Sequence, residues 1–128
     1  MGPTGPEAAY SAAFLDHLTR PRGTGTLPDA THRGTAEDGV CGDRITLDLR
    51  VEAGTVQDVR FRVEGCPGAI AAGSALVSLL PGRGARPSAV SAAEIEGALC
   101  GVPPVKRHAL RLAVDALAAA VAAPLPHA

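Results

Sequence analysis

Residues 45–63 read ITLDLRVEAGTVQDVRFRV, and this stretch decides the fold. Ile45, Leu47, Leu49 and Val51 alternate with Thr46, Asp48 and Arg50, the period-two pattern of a half-buried strand. Val59, Phe61 and Val63 alternate with Arg60 and Arg62 in a second strand. Glu52-Ala53-Gly54-Thr55 between them supplies a hairpin turn, so the two strands pair antiparallel.

Outward from the hairpin the period changes. After Gly65-Cys66-Pro67 a helix is predicted to about Leu80, closed by Pro81-Gly82. Residues 82–91 form a Gly/Pro/Arg-rich loop. Ser91 then caps a short helix, with Glu94 three residues on completing a capping-box signature, and Gly101 ends it. Pro103-Pro104 stiffens the entry to a last helix over 105–122, with Leu110, Val114, Leu117 and Val121 as its apolar stripe. Upstream, a helix from Glu7 to about Thr19 turns Tyr10, Phe14, Leu15 and Leu18 to one side, and Pro21 stops it. Residues 21–40, rich in Gly, Thr, Asp and Pro, read as a long loop over the domain. Helices gathered on one face of a small antiparallel sheet of about three strands make an α+β domain. One domain over residues 1–128 is expected, with 1–6 and 123–128 disordered.

The core must be built without aromatics, because Tyr10, Phe14 and Phe61 are the only ones; Ala, Val, Leu and Ile have to fill it. The formal charge is −1 with scattered Lys and Arg, which argues against a nucleic-acid partner. Leu110 to Leu125 is interrupted by Arg111 and Asp115, so no membrane span is expected. Residues 1–7 lack the charged start and apolar run of a secretory signal, and three cysteines cannot all pair internally. Reduced thiols in a cytoplasmic protein follow as the expectation.

Two segments carry chemistry. In Cys41-Gly42-Asp43, residues i and i+2 of an extended chain point the same way, so a thiol and a carboxylate converge while Gly42 leaves room for a metal ion. The bland reading is a small apolar Cys beside a strand-entry Asp. In Gly65-Cys66-Pro67, Cys66 stands where a strand gives way to a helix. Helix-start N–H groups and the helix dipole are expected to lower its pKa, favouring the thiolate that binds metal or attacks sulfur. The alternative is an inert Cys facing the core. His108 opens the last helix; alone it reads as readily as a surface residue as a ligand. His17 and His32 accompany no second ligand type at a recognisable spacing. Lys106 is a solvated cation by default, and one placed to stabilise nearby thiolates.

Taken together these segments resemble a known family. Leu15-Asp16-His17-Leu18 with Arg20-Pro21-Arg22 is similar to the N-terminal helix motif of IscU/NifU-like (SufU-like) iron–sulfur cluster assembly scaffolds. Cys41-Gly42-Asp43 resembles their first ligand motif, and Gly65-Cys66-Pro67-Gly68-Ala69-Ile70-Ala71 their second Cys with the small-residue helix after it. Val102-Pro103-Pro104-Val105-Lys106-Arg107-His108 resembles the Pro-Pro-Val-Lys segment that ends in a ligand His. The four motifs stand in the family's order over roughly residues 10–122.

The resemblance implies a SufE/NifU-like fold and a carrier with no turnover of its own. On it a [2Fe–2S] cluster is built from iron and sulfur supplied by a cysteine desulfurase, then passed to recipient apo-proteins. Zinc is implied in the cluster-free form. The resemblance makes Cys41, Asp43, Cys66 and His108 the ligands; with the family's third Cys missing here, Cys66 or Cys41 is left as the candidate sulfur acceptor. The resemblance places an Hsp70-type chaperone on the Pro-Pro-Val-Lys segment. The chain departs from the family in one respect: a third Cys follows the ligand His there, and Ala109 stands at that position here. Three arrangements stay open: the four groups suffice, Cys100 reaches the site from its loop, or the site is degenerate. The first leads, since two thiolates, an imidazole and a carboxylate suit a tetrahedral ion. Loss of the third Cys also raises an alternative, a zinc-dependent persulfide relay for the desulfurase without stable cluster assembly.

Overall fold

A computed structural model describes residues 10–39 and 42–126. The hairpin forms as its alternation requires. Strand β2 (Arg44–Glu52) pairs antiparallel with β3 (Thr55–Glu64), and Ile45, Leu47 and Leu49 are buried opposite Val63, Phe61 and Val59. Ala53 and Gly54 both take positive φ, 52° and 77°, which is the two-residue turn whose twist matches the strands. A register shift at Arg50/Val51 lets Val56 join the same buried face.

A third strand, β1 (His32–Glu37), completes the sheet in the order β1-β2-β3. Residues 21–40 were expected to be loop throughout, and the reason for the difference is Gly34. It is the buried position of β1, and a Cβ there would collide with the backbone of Ala119 and Ala120. Helix and strand meet backbone to backbone, so this strand carries no large apolar residue to announce it. Residues ahead of β1 do run as a covering segment. Gly23 and Gly25 bond the backbone of Phe61 along the free side of β3, and Leu27 N–H donates to Asp48 on the outer face of β2.

Four helices lie among the described residues: α1 (Ala12–Thr19), α2 (Pro67–Leu79), α3 (Ala92–Ala98) and α4 (His108–Val121). Ser11 caps α1 by accepting the Phe14 N–H, so the described helix starts later than the apolar pattern suggests; residues 7–9 lie outside the described residues. The capping box of Ser91 and Glu94 forms at α3. Helix α2 is buried almost all round, from Gly68 to Val77, and packs on α1, α3, α4 and the sheet. Its small residues permit this: a Cβ on Gly73 would strike the ring of Phe61.

A short 3₁₀ turn, Pro104–Lys106, precedes α4, whose start is accordingly later than expected. Its buried face is Ala109, Leu110, Leu112, Ala113, Ala116, Leu117 and Ala120, while Val114 and Val121 of the expected stripe are only half-buried. Close approach to Gly34 selects alanines over valines. Residues 123–126, expected to be disordered, instead run beside β1: Arg33 N–H donates to the Ala123 carbonyl and Leu125 N–H to that of Thr31. No described helix is long and apolar enough to cross a membrane.

Candidate metal centre

Three chain segments meet at one end of the sheet. Asp43 precedes β2, Cys66 is the N-cap of α2 directly after β3, and His108 is the first residue of α4. The pairing of Arg44 with Glu64 brings the first two together. Gly65, with φ +148°, lies so close to Asp43 that any side chain there would overlap its carboxylate. Cys66 is the N-cap, so its backbone N–H has no acceptor within the helix and points at Asp43.

The resulting contacts are specific. Asp43 Oδ1 accepts the Cys66 backbone N–H at 3.0 Å, and Asp43 Oδ2 accepts the Cys66 thiol at 3.0 Å. His108 Nε2 is 3.5 Å from the same Oδ2. One donor atom from each of Asp43, Cys66 and His108 lies within 4.8 Å of the others. The Asp43 side chain is 3% exposed and that of His108 32%, so the group opens to solvent on the imidazole side. Nε2 itself is buried and has no hydrogen-bond partner, an orphan that a metal ion would satisfy. Donors bound at roughly 2.0–2.2 Å to one tetrahedral ion stand about 3.3–3.6 Å apart, which is the spacing of that nitrogen and oxygen. Carboxylate, thiol and imidazole together suit zinc or iron.

Electrostatics corrects one expectation. Burial pushes the Cys66 thiol up, and its hydrogen bond to the negative Asp43 pushes it further; the opposing N–H groups of Ala69 and Gly68 do not overcome this. The helix start therefore does not yield a thiolate in the metal-free protein, because the nearest charge is an anion. Burial acts on Asp43 in the raising direction too. The Cys66 thiol, the Cys66 N–H and His108 outweigh it, and the carboxyl lies below its ordinary 3.8.

The other candidate residues fall elsewhere. Cys41 lies outside the described residues. Cys100 is exposed at the end of α3, in a left-handed turn with Gly101 (φ 53° and 98°), outside the three-residue group. Ala109 is 1% exposed and belongs to the core, facing Gly68. The half-buried Lys106 lays its aliphatic stem against Gly68, in the first turn after Cys66. His17 and His32 bond hydroxyls, His17 Nδ1 meeting Ser74 Oγ at 2.7 Å and His32 Nδ1 meeting Thr31 Oγ1 at 2.9 Å. Asp38, which the sequence pattern did not single out, stands beside His108 with Oδ2 at 3.6 Å from Nε2. Its position one residue past the cryptic β1 is the signal, visible only once that strand is recognised.

Comparison with known proteins agrees with this architecture. The chain is 34% identical over 113 residues to "Iron-sulfur cluster assembly scaffold protein IscU 1" of Archaeoglobus fulgidus, covering 88% of this chain and 74% of that one. It is 44% identical over 110 residues to "Nitrogen fixation protein NifU" of Cereibacter sphaeroides, covering 85% of this chain and 45% of the relative. A further match, "Bifunctional protein NifU/MnmA" of Rubrobacter xylanophilus, is 40% identical over 111 residues, 84% of this chain, which spans only 23% of that protein's length. Among solved structures, the N-terminal part of a nitrogen-fixing NifU-like protein from Brucella abortus superposes with a TM-score of 0.71 at 18% identity, over 88% of this chain and 91% of that one. The family described as NifU-like N terminal domain matches residues 9–124, and the chain belongs to it.

Proposed function

We propose that the protein is an iron–sulfur cluster assembly scaffold that holds iron and a growing [2Fe–2S] cluster as cargo at Cys41, Asp43, Cys66 and His108. The observation that carries this is the convergence of Asp43, Cys66 and His108 from separate segments, with donor atoms within 4.8 Å of one another. Their chemistry suits a cargo that must leave. A thiolate that lets go is captured by a proton, and the Cys66 thiol so formed donates to the Asp43 carboxylate, as it does in the metal-free site. Sulfur would come from a cysteine desulfurase, and recipient apo-proteins would take the product. The scaffold binds and positions; it turns nothing over. Zinc fits the same donor set in the cluster-free form. Pro104 and Val105 are exposed in the 3₁₀ turn, Val105 at 76%, with the half-buried Lys106 beside them, which supports chaperone docking there.

One observation favours a second reading. The residue after His108 is a buried alanine, so the described site offers a single thiol, Cys66. In that reading zinc governs Cys66, whose thiolate attacks the outer sulfur of a desulfurase persulfide and releases the desulfurase thiolate.

Anaerobic reconstitution with ferrous iron, a cysteine desulfurase and cysteine separates the two. Scaffold function gives visible absorbance that Cys66→Ser and His108→Ala each abolish. A colourless protein that gains one sulfur atom in mass supports the relay. A colourless protein with neither metal nor added sulfur defeats both.

A further inference from the structure

The reading of Asp43, Cys66 and His108 as metal ligands is the ground for this inference, which adds a residue to them. The loop between β1 and β2 is closed at both ends: Asp38 N–H donates to the Asp43 carbonyl at 2.7 Å, and Gly42 N–H to the Asp38 carbonyl at 2.8 Å. Both bonds use backbone atoms, and they set the two aspartates side by side. Asp38 Oδ2 then lies 3.6 Å from His108 Nε2, against 3.5 Å for Asp43 Oδ2. Neither distance makes a good hydrogen bond. Both match the separation, about 3.3–3.6 Å, of donors sharing one tetrahedral ion. The buried, unpartnered ring nitrogen thus sits near two carboxylates rather than one.

The surroundings of Asp38 point the same way. Its side chain is only 14% exposed, yet with His108 it lines a cleft of about 240 Å³ whose rim includes Glu37, Arg111 and Asp115. Asp43 and Cys66 do not line that cleft. His108 is the residue common to the cleft and the donor group, and Asp38 stands beside it in the cleft, outside the 4.8 Å group, so an ion arriving from solvent through the cleft meets these two first. We propose that Asp38 is a further oxygen ligand of this centre for a divalent metal ion, reached from the cleft. A carboxylate in this place is a hard, exchangeable donor suited to ferrous iron. It supplies a charge that Ala109, buried and apolar, does not.

Cobalt(II) tests this on the full chain, because its thiolate charge-transfer bands report sulfur and its d–d bands report the whole donor set. The wild type is expected to show both. Asp38→Asn should keep the charge-transfer band, shift the d–d bands and weaken cobalt binding about tenfold, with Asp38→Glu recovering part of the affinity. If Asp38→Asn matches the wild type in affinity and d–d bands while Cys66→Ser loses its charge-transfer band, Asp38 is not a ligand and the other three stand. If the wild type shows no thiolate band, the ligand reading fails and this proposal fails with it. Should Asp38→Asn not fold, Asp38→Glu is read alone: the longer arm moves the oxygen, so unchanged d–d bands overturn the proposal.

Discussion

Asp43 and Asp48 lie five residues apart, before and within β2, and both are buried with carboxyls held below the ordinary aspartate value of 3.8. Burial is the largest influence on each and acts in the raising direction; in each, hydrogen bonds overcome it. The partners differ in kind. Asp48 is gripped on the outer face of the sheet by Arg33 at 2.8 Å, Arg62 at 3.2 Å and the Leu27 N–H at 3.0 Å. Guanidinium groups keep their protons and do not bind metals. Asp43 is held by a thiol and stands beside an imidazole, groups that release protons and accept metals. One aspartate is a staple, the other part of a site, and the charge state of the partners decides which.

The widest separation between the two should come from removing Asp48. Asp48→Ala leaves two guanidinium groups that are 40% and 38% exposed, so water relieves part of the penalty. A loss of about 3 kcal/mol is expected, below the full cost of an orphaned buried ion. Because the folded pKa is depressed, the contribution is complete above 3.8 and fades as pH falls through the folded value. Urea unfolding should therefore show the gap between wild type and variant at neutral pH and its closure on strong acidification. Zinc affinity should not move. A variant as stable as wild type at neutral pH would mean that the arginines do not hold the covering segment down.

Cys66→Ser should do the reverse. Loss of even an outer partner of a metal ligand costs 10–100-fold in affinity, so loss of the thiolate should cost at least about 100-fold, or 2.7 kcal/mol. Serine still donates to Asp43, so the metal-free stability should shift by less than about 1 kcal/mol. Zinc competition against a chromophoric chelator reads the first quantity and urea unfolding the second. Equal zinc affinity in the two proteins would remove Cys66 from the ligand set.

The two regions also differ in how much of them was legible beforehand. The hairpin and the capped helices announce themselves through alternation and caps, and the four motifs carry the family. The approach of Asp43, Cys66 and His108 could be anticipated only through that likeness, since their meeting depends on Gly65 and the stiff Pro103-Pro104 entry rather than on local pattern. The Asp48 staple was not legible, because Arg33 sits on a strand whose buried residue is a glycine and Leu27 in a segment of loop composition. The thiol's protonation was misread for a related reason. Helix position is a local cue, while the carboxylate that opposes it comes from 23 residues away.

That protonation gives the finest test of the comparison. Burial and then the Asp43 hydrogen bond raise the Cys66 thiol above its ordinary value of 9.0, so at neutral pH a metal ion must displace its proton. Asp43 is already ionised there, its own value lying below 3.8, and adds no slope. The Cys66 proton so displaced contributes about tenfold in zinc affinity per pH unit, or about 1.4 kcal/mol per unit, through the neutral range. Cys66→Ser should bind more weakly and with a slope shallower by that one proton; chelator competition across several pH values measures both. Asp48→Ala should track the wild-type slope, because no labile proton sits beside that carboxylate. If Cys66→Ser keeps the full slope, the displaced proton belongs to another ligand. The Cys66–Asp43 bond would then be a contact the metal leaves in place, and Asp43 would be closer in character to Asp48 than its neighbours suggest.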